Sequence, residues 1–300
     1  MKPLSKLLVA VDLSKASDAI IDFAYSIAGK YGSELVLFYA VEDSLIDHPA
    51  AGFDPNAVIS EYVKKAKEYF EQKVEFLKSK GVDAYYVIND TPMDPAQAIC
   101  KTASEEGATE ILIGHKGRGL LKIFPIGSTA LSVINLSRTP VILLKVKAED
   151  EKVSVLYREN TTKQDFLKRV LIGVDDNMSD DMIRYFGSLL VTAWRRKPGE
   201  AYVVHVIESG ESEADSKKLV TRAVSILKEY GIEAKTMILE GKPSKAIISA
   251  IDQLNVTGLL VGKTLKKKRL HEYITGTTLW RLIAYIDIPM VVYPINVGEE

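Results

Sequence analysis

Apolar positions along this chain follow two rhythms that alternate. Short runs such as LLVAV (7–11), ELVLFYAVE (34–42), EILI (110–113) and VILLKV (141–146) are nearly continuous in β-branched and aliphatic residues. Runs of about four to seven such residues predict strands buried on both faces. Between them the apolar spacing lengthens. Residues 18–29 put Ile20, Ile21, Ala24 and Ile27 on one face, with Ser14 or Ser17 placed to cap the start and Gly29 or Gly32 the end. Residues 56–80 carry Val58, Tyr62, Ala66, Phe70, Val74 and Leu77 at spacings of three or four, which predicts a long amphipathic helix. Strands alternating with helices predict a parallel sheet with right-handed crossovers.

The runs recur in order. LLVAVDLS (7–14) returns as VLIGVDDN (170–177), which sets Asp12 against Asp175. ELVLFYAVE (34–42) returns as EAYVVHVIE (200–208), GVDAYYVIND (81–90) as GIEAKTMILE (231–240), ATEILIGHKG (108–117) as VTGLLVGKTL (256–265), and TPVILLK (139–145) as IPMVVYP (288–294). Solenoid and propeller periods are about 20–50 residues, so a repeat this long means that each copy is a whole domain. The fold class expected is α/β, two tandem doubly wound domains, each an open, mostly parallel sheet of about five strands. Residues 1–146 form the first domain and 165–300 the second. Residues 147–164, charged and polar around one β-like run, VSVLY, read as a linker with an extra edge strand.

Composition narrows the function classes. Lys plus Arg is 39 and Asp plus Glu 40, so a net charge of −1 supplies no field to gather nucleic acid or an anionic membrane. At 47% hydrophobic and 26% charged the 300-residue chain suits a folded protein rather than a disordered one. Cys100 is the single cysteine, which excludes an intrachain disulfide and a multi-thiolate zinc site. LLVAV is shorter than a signal-peptide core of about 7–15 residues, and no stretch reaches the roughly 18 apolar residues of a membrane span. A cytoplasmic protein is expected.

The chemistry concentrates in IGHKGRGLLKIFPIGST (113–129), which leaves one predicted strand and enters a predicted helix. Gly114, Gly117 and Gly119 leave room for backbone to approach a ligand closely. Gly127, Ser128 and Thr129 open the helix, whose first N–H groups and positive dipole end suit an anion, with phosphate the obvious one. His115, Lys116, Arg118 and Lys122 read as added positive charge. Two other phosphate motifs fail on context. The first strand-to-helix turn, VDLSKAS, has no glycine for a dinucleotide fingerprint, and the GKT at 262–264 falls one residue short of a Walker loop and follows a strand run.

Gly114, two residues, Gly117, nine residues, then Gly127-Ser128 resembles the nucleotide motif of the ATP-binding universal stress proteins. VAVDLS near the start and Pro140 before a final strand also look like that family, and the likeness runs over both copies. The resemblance implies the adenine nucleotide alpha hydrolase-like fold and ATP as ligand; Mg2+ can accompany the phosphates, although the sequence shows no dedicated carboxylate cage for it. It implies that Asp12 meets the adenosine part, Val41 offers backbone to adenine, Ile113 lines the pocket, and Gly114, Gly117, Gly127, Ser128 and Thr129 wrap the phosphates. The second copy departs from the motif: Leu265 replaces a glycine, and ten residues rather than nine precede Gly276-Thr277. Nucleotide binding is therefore expected at the first copy alone.

The leading function is a nucleotide-binding stress or signalling module in which ATP sets conformation or the choice of an unknown protein partner. No GxSxG, HExxH or readable acid pair marks an enzyme, so only slow hydrolysis is expected. An adenylating or ATP-hydrolysing enzyme of the same α/β group, and a scaffold with relic loops, are the alternatives. The resemblance also implies that VILLKV (141–146) and MVVYPI (290–295) pair the two domains as a pseudo-dimer, and that two chains form a homodimer. Blander readings apply elsewhere. His205 within YVVHVI reads as a satisfied core histidine, Cys100 as a small buried hydrophobe, His48 in 44–55 as part of a flap, and Lys266–Arg269 as a solvated loop able to hold another anion.

Overall fold

The computed structural model describes residues 2–43, 54–115, 126–149, 152–157, 162–208, 212–265 and 278–296. Two compact units divide the chain, Pro3–Val155 and Leu156–Glu300.

In the first unit β1 (Lys6–Ala10), α1 (Lys15–Tyr31), β2 (Glu34–Glu42), α2 (Pro55–Ser79), β3 (Ala84–Met93), α3 (Pro95–Glu105), β4 (Glu110–Gly114), α4 (Ser128–Leu136) and β5 (Val141–Leu144) follow in strict alternation. Every pairing in the order β5-β4-β1-β2-β3 is parallel. The continuous apolar runs dictate this arrangement, because Leu7, Leu8, Val9, Leu35, Val36, Leu37, Ile111 and Leu112 have nothing polar to show on either face and are fully buried. Right-handed crossovers then place α1 and α2 on one face of the sheet and α3 and α4 on the other.

Local signals set the helix ends. Ser14 caps α1 by accepting the Ala16 N–H, and Gly32, at φ 72°, closes it in the left-handed conformation that glycine adopts without a Cβ penalty. The expected stripe of Ile20, Ile21, Ala24 and Ile27 is buried. In α2 the stripe narrows to Ala66, Phe70 and Leu77, while Val58, Tyr62 and Val74 are half-buried. Asp54 and Asp94 cap α2 and α3, each followed by proline in the first turn, where its missing N–H costs nothing.

After β5 the chain forms a hairpin of β6 (Val146–Glu149) and β7 (Lys152–Val155), paired antiparallel from Val146 opposite Val155 to Glu149 opposite Lys152. Val146 and Val155 are buried, and β7 packs on α1. This hairpin begins at Val146, the last residue of the expected first domain and of its VILLKV run, and otherwise lies in the stretch whose charge suggested a linker. Its two valines supply the apolar anchor that the surrounding Lys and Glu obscure in the sequence.

The second unit repeats the order with β8 (Arg169–Gly173), α5 (Asp180–Trp194), β9 (Glu200–Ile207), α6 (Glu213–Glu229), β10 (Ala234–Glu240), α7 (Pro243–Gln253), β11 (Gly258–Leu265), α8 (Thr278–Tyr285) and β12 (Met290–Asn296). Its pairing, β12-β11-β8-β9-β10, is again parallel throughout. No helix among the described residues is long and apolar enough to cross a membrane.

Candidate functional site

Strand order in the first unit reverses between β1 and β4, since β1 is followed in sequence by a strand on one side and β4 by a strand on the other. Ligands of open α/β sheets bind outside the carboxyl ends of the strands at such a point. Ala10 lies opposite both Phe38 on β2 and Ile113 on β4, so Asp12 and Gly114 leave neighbouring strand ends. Adjacent strands are about 4.8 Å apart, a span that one ligand covers.

Asp12 forms one wall. Its Oδ1 accepts the Ser14 N–H at 3.1 Å and the Ser17 hydroxyl at 3.1 Å, while the Asp12 N–H donates to Ser17 Oγ at 3.2 Å. This Asx turn carries Leu13 at φ 61°, a left-handed conformation that a leucine adopts only where its neighbours over-determine it. The strained turn delivers the chain into the capped start of α1. Sequence reading missed Leu13, because nothing in its side chain announces a positive φ.

The opposite wall is built by the end of β4 and the start of α4. Ile113 and Gly114 are buried, and Gly127 forms the N-cap of α4 with no capping side chain. The early N–H groups of α4 therefore receive no capping bond from Gly127, in contrast to α1, α2 and α3. Ser128 is exposed and Thr129 half-exposed beside them. Val41 is fully buried on β2, where the ladder to β3 shifts register between Ala40 and Glu42. The structure thus brings Asp12, Ile113, Gly114, Gly127, Ser128 and Thr129 to the carboxyl ends of β1 and β4 or to the element that follows β4, with Val41 on the neighbouring strand. Gly117 and Gly119, with Lys116, Arg118 and Lys122, lie outside the described residues, as does most of the expected flap with His48.

His115 corrects the sequence reading. It is 4% exposed, and its Nδ1 accepts the Val146 N–H at 3.0 Å, which requires a ring nitrogen without a proton. Its backbone is equally engaged, donating to the Leu144 carbonyl at 2.7 Å and accepting the Gly127 N–H at 2.6 Å. The imidazole is a neutral pin rather than a cation offered to a phosphate.

A second residue outside the sequence reading is Tyr69 of α2. Its hydroxyl donates to Asp18 Oδ1 at 2.7 Å, and Lys73 Nζ reaches the same oxygen at 2.7 Å while lying 5.1 Å from the Tyr69 ring centre. Burial first, then Asp18 and finally Asp12 push the phenol well above its ordinary range. The signal was available only as its place beside Phe70, off the apolar stripe.

The reading of His205 as a core histidine holds, whereas Cys100 is half-buried rather than buried. His205 Nδ1 meets the Val174 carbonyl at 3.0 Å within the core. Burial pushes the Cys100 thiol up to about 11 and Asp94 adds to the rise, against a lowering hydrogen bond from Ser137.

At the corresponding crevice of the second unit Asp175 forms the same kind of turn, its Oδ1 accepting the Asn177 N–H at 2.9 Å. There the resemblance stops. β4 ends at Gly114, whereas β11 runs on past the matching Gly262 and pairs Lys263, Thr264 and Leu265 with Pro294, Ile295 and Asn296. A Cβ on Gly262 would stand 2.5 Å from Ile295 Cδ1 and 2.5 Å from Met182 Sδ, so this glycine serves packing. The GKT at 262–264 is strand, as its context suggested. Lys266–Arg269, Gly276 and Thr277 lie outside the described residues. Among the described residues no group of three or more His, Cys, Asp or Glu is placed to hold a metal ion.

Residues 3–145 match the model of the universal stress protein family. The universal stress protein YxiE of Bacillus subtilis is 27% identical over 148 residues, covering 47% of this chain and 99% of that protein. A universal stress protein of Methanocaldococcus jannaschii is 24% identical over 154 residues, covering 47% of this chain and 95% of that protein. Among solved structures, a universal stress protein from Archaeoglobus fulgidus superposes with a TM-score of 0.71 at 22% identity, over 99% of this chain and 98% of that one. At that identity the likeness is one of fold.

Proposed function

Residues 3–145 form a universal stress protein domain, and from that premise we propose that the first unit binds an adenine nucleotide, ATP, as a conformational or partner switch in a stress-response or signalling module. The observation that carries this reading is the opening of α4 at Gly127, a helix start with no capping side chain, held beside the carboxyl ends of β1 and β4. Such a helix end offers N–H groups and a positive dipole to phosphate oxygens. Gly114, Gly127, Ser128 and Thr129, together with Gly117, would hold the phosphates; Asp12 would face the adenosine part, Ile113 would line the pocket and Val41 would present backbone to the base. The buried strand ends and small residues present suit such a ligand. Mg2+ accompanying ATP would be held chiefly by the phosphates and would neutralise their charge.

Binding rather than rapid catalysis fits the way Asp12 is used. Its Oδ1 already accepts two hydrogen bonds that shape the turn, which ties the carboxylate to architecture. The experiment is to purify the protein, identify any nucleotide that accompanies it by mass, and follow that nucleotide's turnover. Intact bound ATP supports the switch. Rapid conversion would replace it with an adenylating or hydrolysing enzyme, and failure to bind any adenine nucleotide would leave a scaffold.

A further inference from the structure

His115 links the end of β4 to Gly127, and three of its groups are committed. Its carbonyl holds the Gly127 N–H at 2.6 Å, its own N–H is held by Leu144 at 2.7 Å, and its Nδ1 holds the N–H of Val146, the first residue of the β6–β7 hairpin, at 3.0 Å. The hairpin in turn packs through β7 on α1. The first turn of α1 is shaped by Asp12, Ser14 and Ser17 on the other side of the crevice. One small hairpin therefore contacts both the histidine that holds the Gly127 N–H and α1, the helix that follows Asp12. In the second unit the matching position is Lys263, which sits in strand opposite Pro294.

We infer that His115 is a positioning residue that couples occupancy of the nucleotide site to the seating of the β6–β7 hairpin. The inference rests on the nucleotide reading above and adds its means of regulation. Removing the Nδ1 acceptor leaves the buried Val146 N–H without its partner, a loss that the structure avoids by letting the hairpin's first residue shift. The His115 backbone is then left with only its bonds to Leu144 and Gly127, so the Gly127 nitrogen that opens α4 is held less firmly. Coupling between two sites is reciprocal, so a nucleotide that needs α4 in place also holds the hairpin down. The chain leaves the first unit immediately after Val155, so the element whose seating responds to nucleotide is the one that leads onward.

The test uses the full chain, with ATP as the probe. Hydrogen exchange at the Val146 amide is expected to slow about tenfold on ATP addition, with no change at amides of β8. His115→Leu should speed exchange at Val146 without ATP and weaken ATP binding about five- to tenfold, whereas His115→Asn, whose Oδ1 can stand in for Nδ1, should restore both to within about threefold of wild type. Faster Val146 exchange with unchanged ATP affinity in His115→Leu overturns the coupling and leaves the nucleotide site standing. Equal losses in the Leu and Asn variants overturn the role of the acceptor atom. Should His115→Leu fail to fold, the wild-type exchange decides: no slowing at Val146 on ATP binding overturns the inference. Absence of ATP binding by the wild type itself overturns the nucleotide reading, and the inference with it.

Discussion

Asp12 has a structural role in its turn and, under the proposed function, a binding role as well, and substitutions separate the two. Its Oδ1 completes an Asx turn around Leu13 at φ 61°, and any adenosine contact comes in addition. Asp12→Ala is expected to cost about 1 kcal/mol of stability and about 1–2 kcal/mol of ATP affinity, each the size of one or two lost hydrogen bonds. Asp12→Asn keeps an acceptor at the same place, so thermal melting should stay at the wild-type value while calorimetry still registers the loss of charge. Equal melting losses for both variants would refute the turn as the structural role. Cys100 gives a second residue-scale expectation. With its thiol pushed up to about 11, chiefly by burial, little thiolate exists near pH 7, and alkylation should run at least tenfold slower than for a free cysteine thiol. Both residues were visible in the sequence, but their environments were not. His115 makes the same point in the opposite sense, because a histidine among Lys and Arg reads as charge until burial and the Val146 N–H assign it as an acceptor.

At the scale of elements, the starts of β8, β9 and β10 are tied by Glu200. Arg169 Nη2 lies 2.7 Å from its Oε1, while Tyr202 Oη at 2.9 Å and Lys235 Nζ at 3.2 Å reach Oε2. Arg169 first, then Tyr202 and Lys235, hold the carboxyl down to about 2. A lowered folded value means that the contribution is present above the ordinary value of 4.5 and disappears as pH falls from there toward about 2. Solvent screening keeps the contribution modest. Glu200→Gln should therefore lower the urea midpoint near pH 6 and approach the wild type near pH 2. A constant difference across that range would show that protonation of Glu200 is not involved. Gly262 in β11 gives a packing expectation. Gly262→Ala places a methyl group 2.5 Å from Ile295 Cδ1 and Met182 Sδ, and overpacking of this kind costs about 1–3 kcal/mol. Denaturant unfolding should record that loss while ATP affinity stays unchanged. The strands and helices around these residues were legible from periodicity and caps. The length of β11 was not, because Lys263, Thr264 and Leu265 become strand only by finding Pro294, Ile295 and Asn296 alongside.

Across the whole molecule, two units of the same strand order are unequal where it matters. In the first, β4 stops at Gly114 and α4 opens at an uncapped Gly127; in the second, β11 carries on through the matching glycine position as strand. The full chain is therefore expected to bind one ATP in calorimetry, and Gly127→Val to bind none, because its side chain enters the space that phosphate oxygens need. Gly127 sits at φ −73°, ψ 149°, extended backbone that valine tolerates, so melting should be little changed. A stoichiometry of two, or one site surviving in Gly127→Val, would place nucleotide in the second unit. The sequence by itself determined the recurring strand runs, the α/β class, the helix caps and the glycine spacing of the first copy, because each is a property of residues close together in the chain. Only the tertiary structure decided that His115 is a neutral pin, that Val146 and Val155 anchor a hairpin in a charged stretch, that Gly262 serves packing and that Leu265 extends a strand. Each of these depends on which distant backbone and side-chain atoms arrive beside the residue, and no local pattern encodes that.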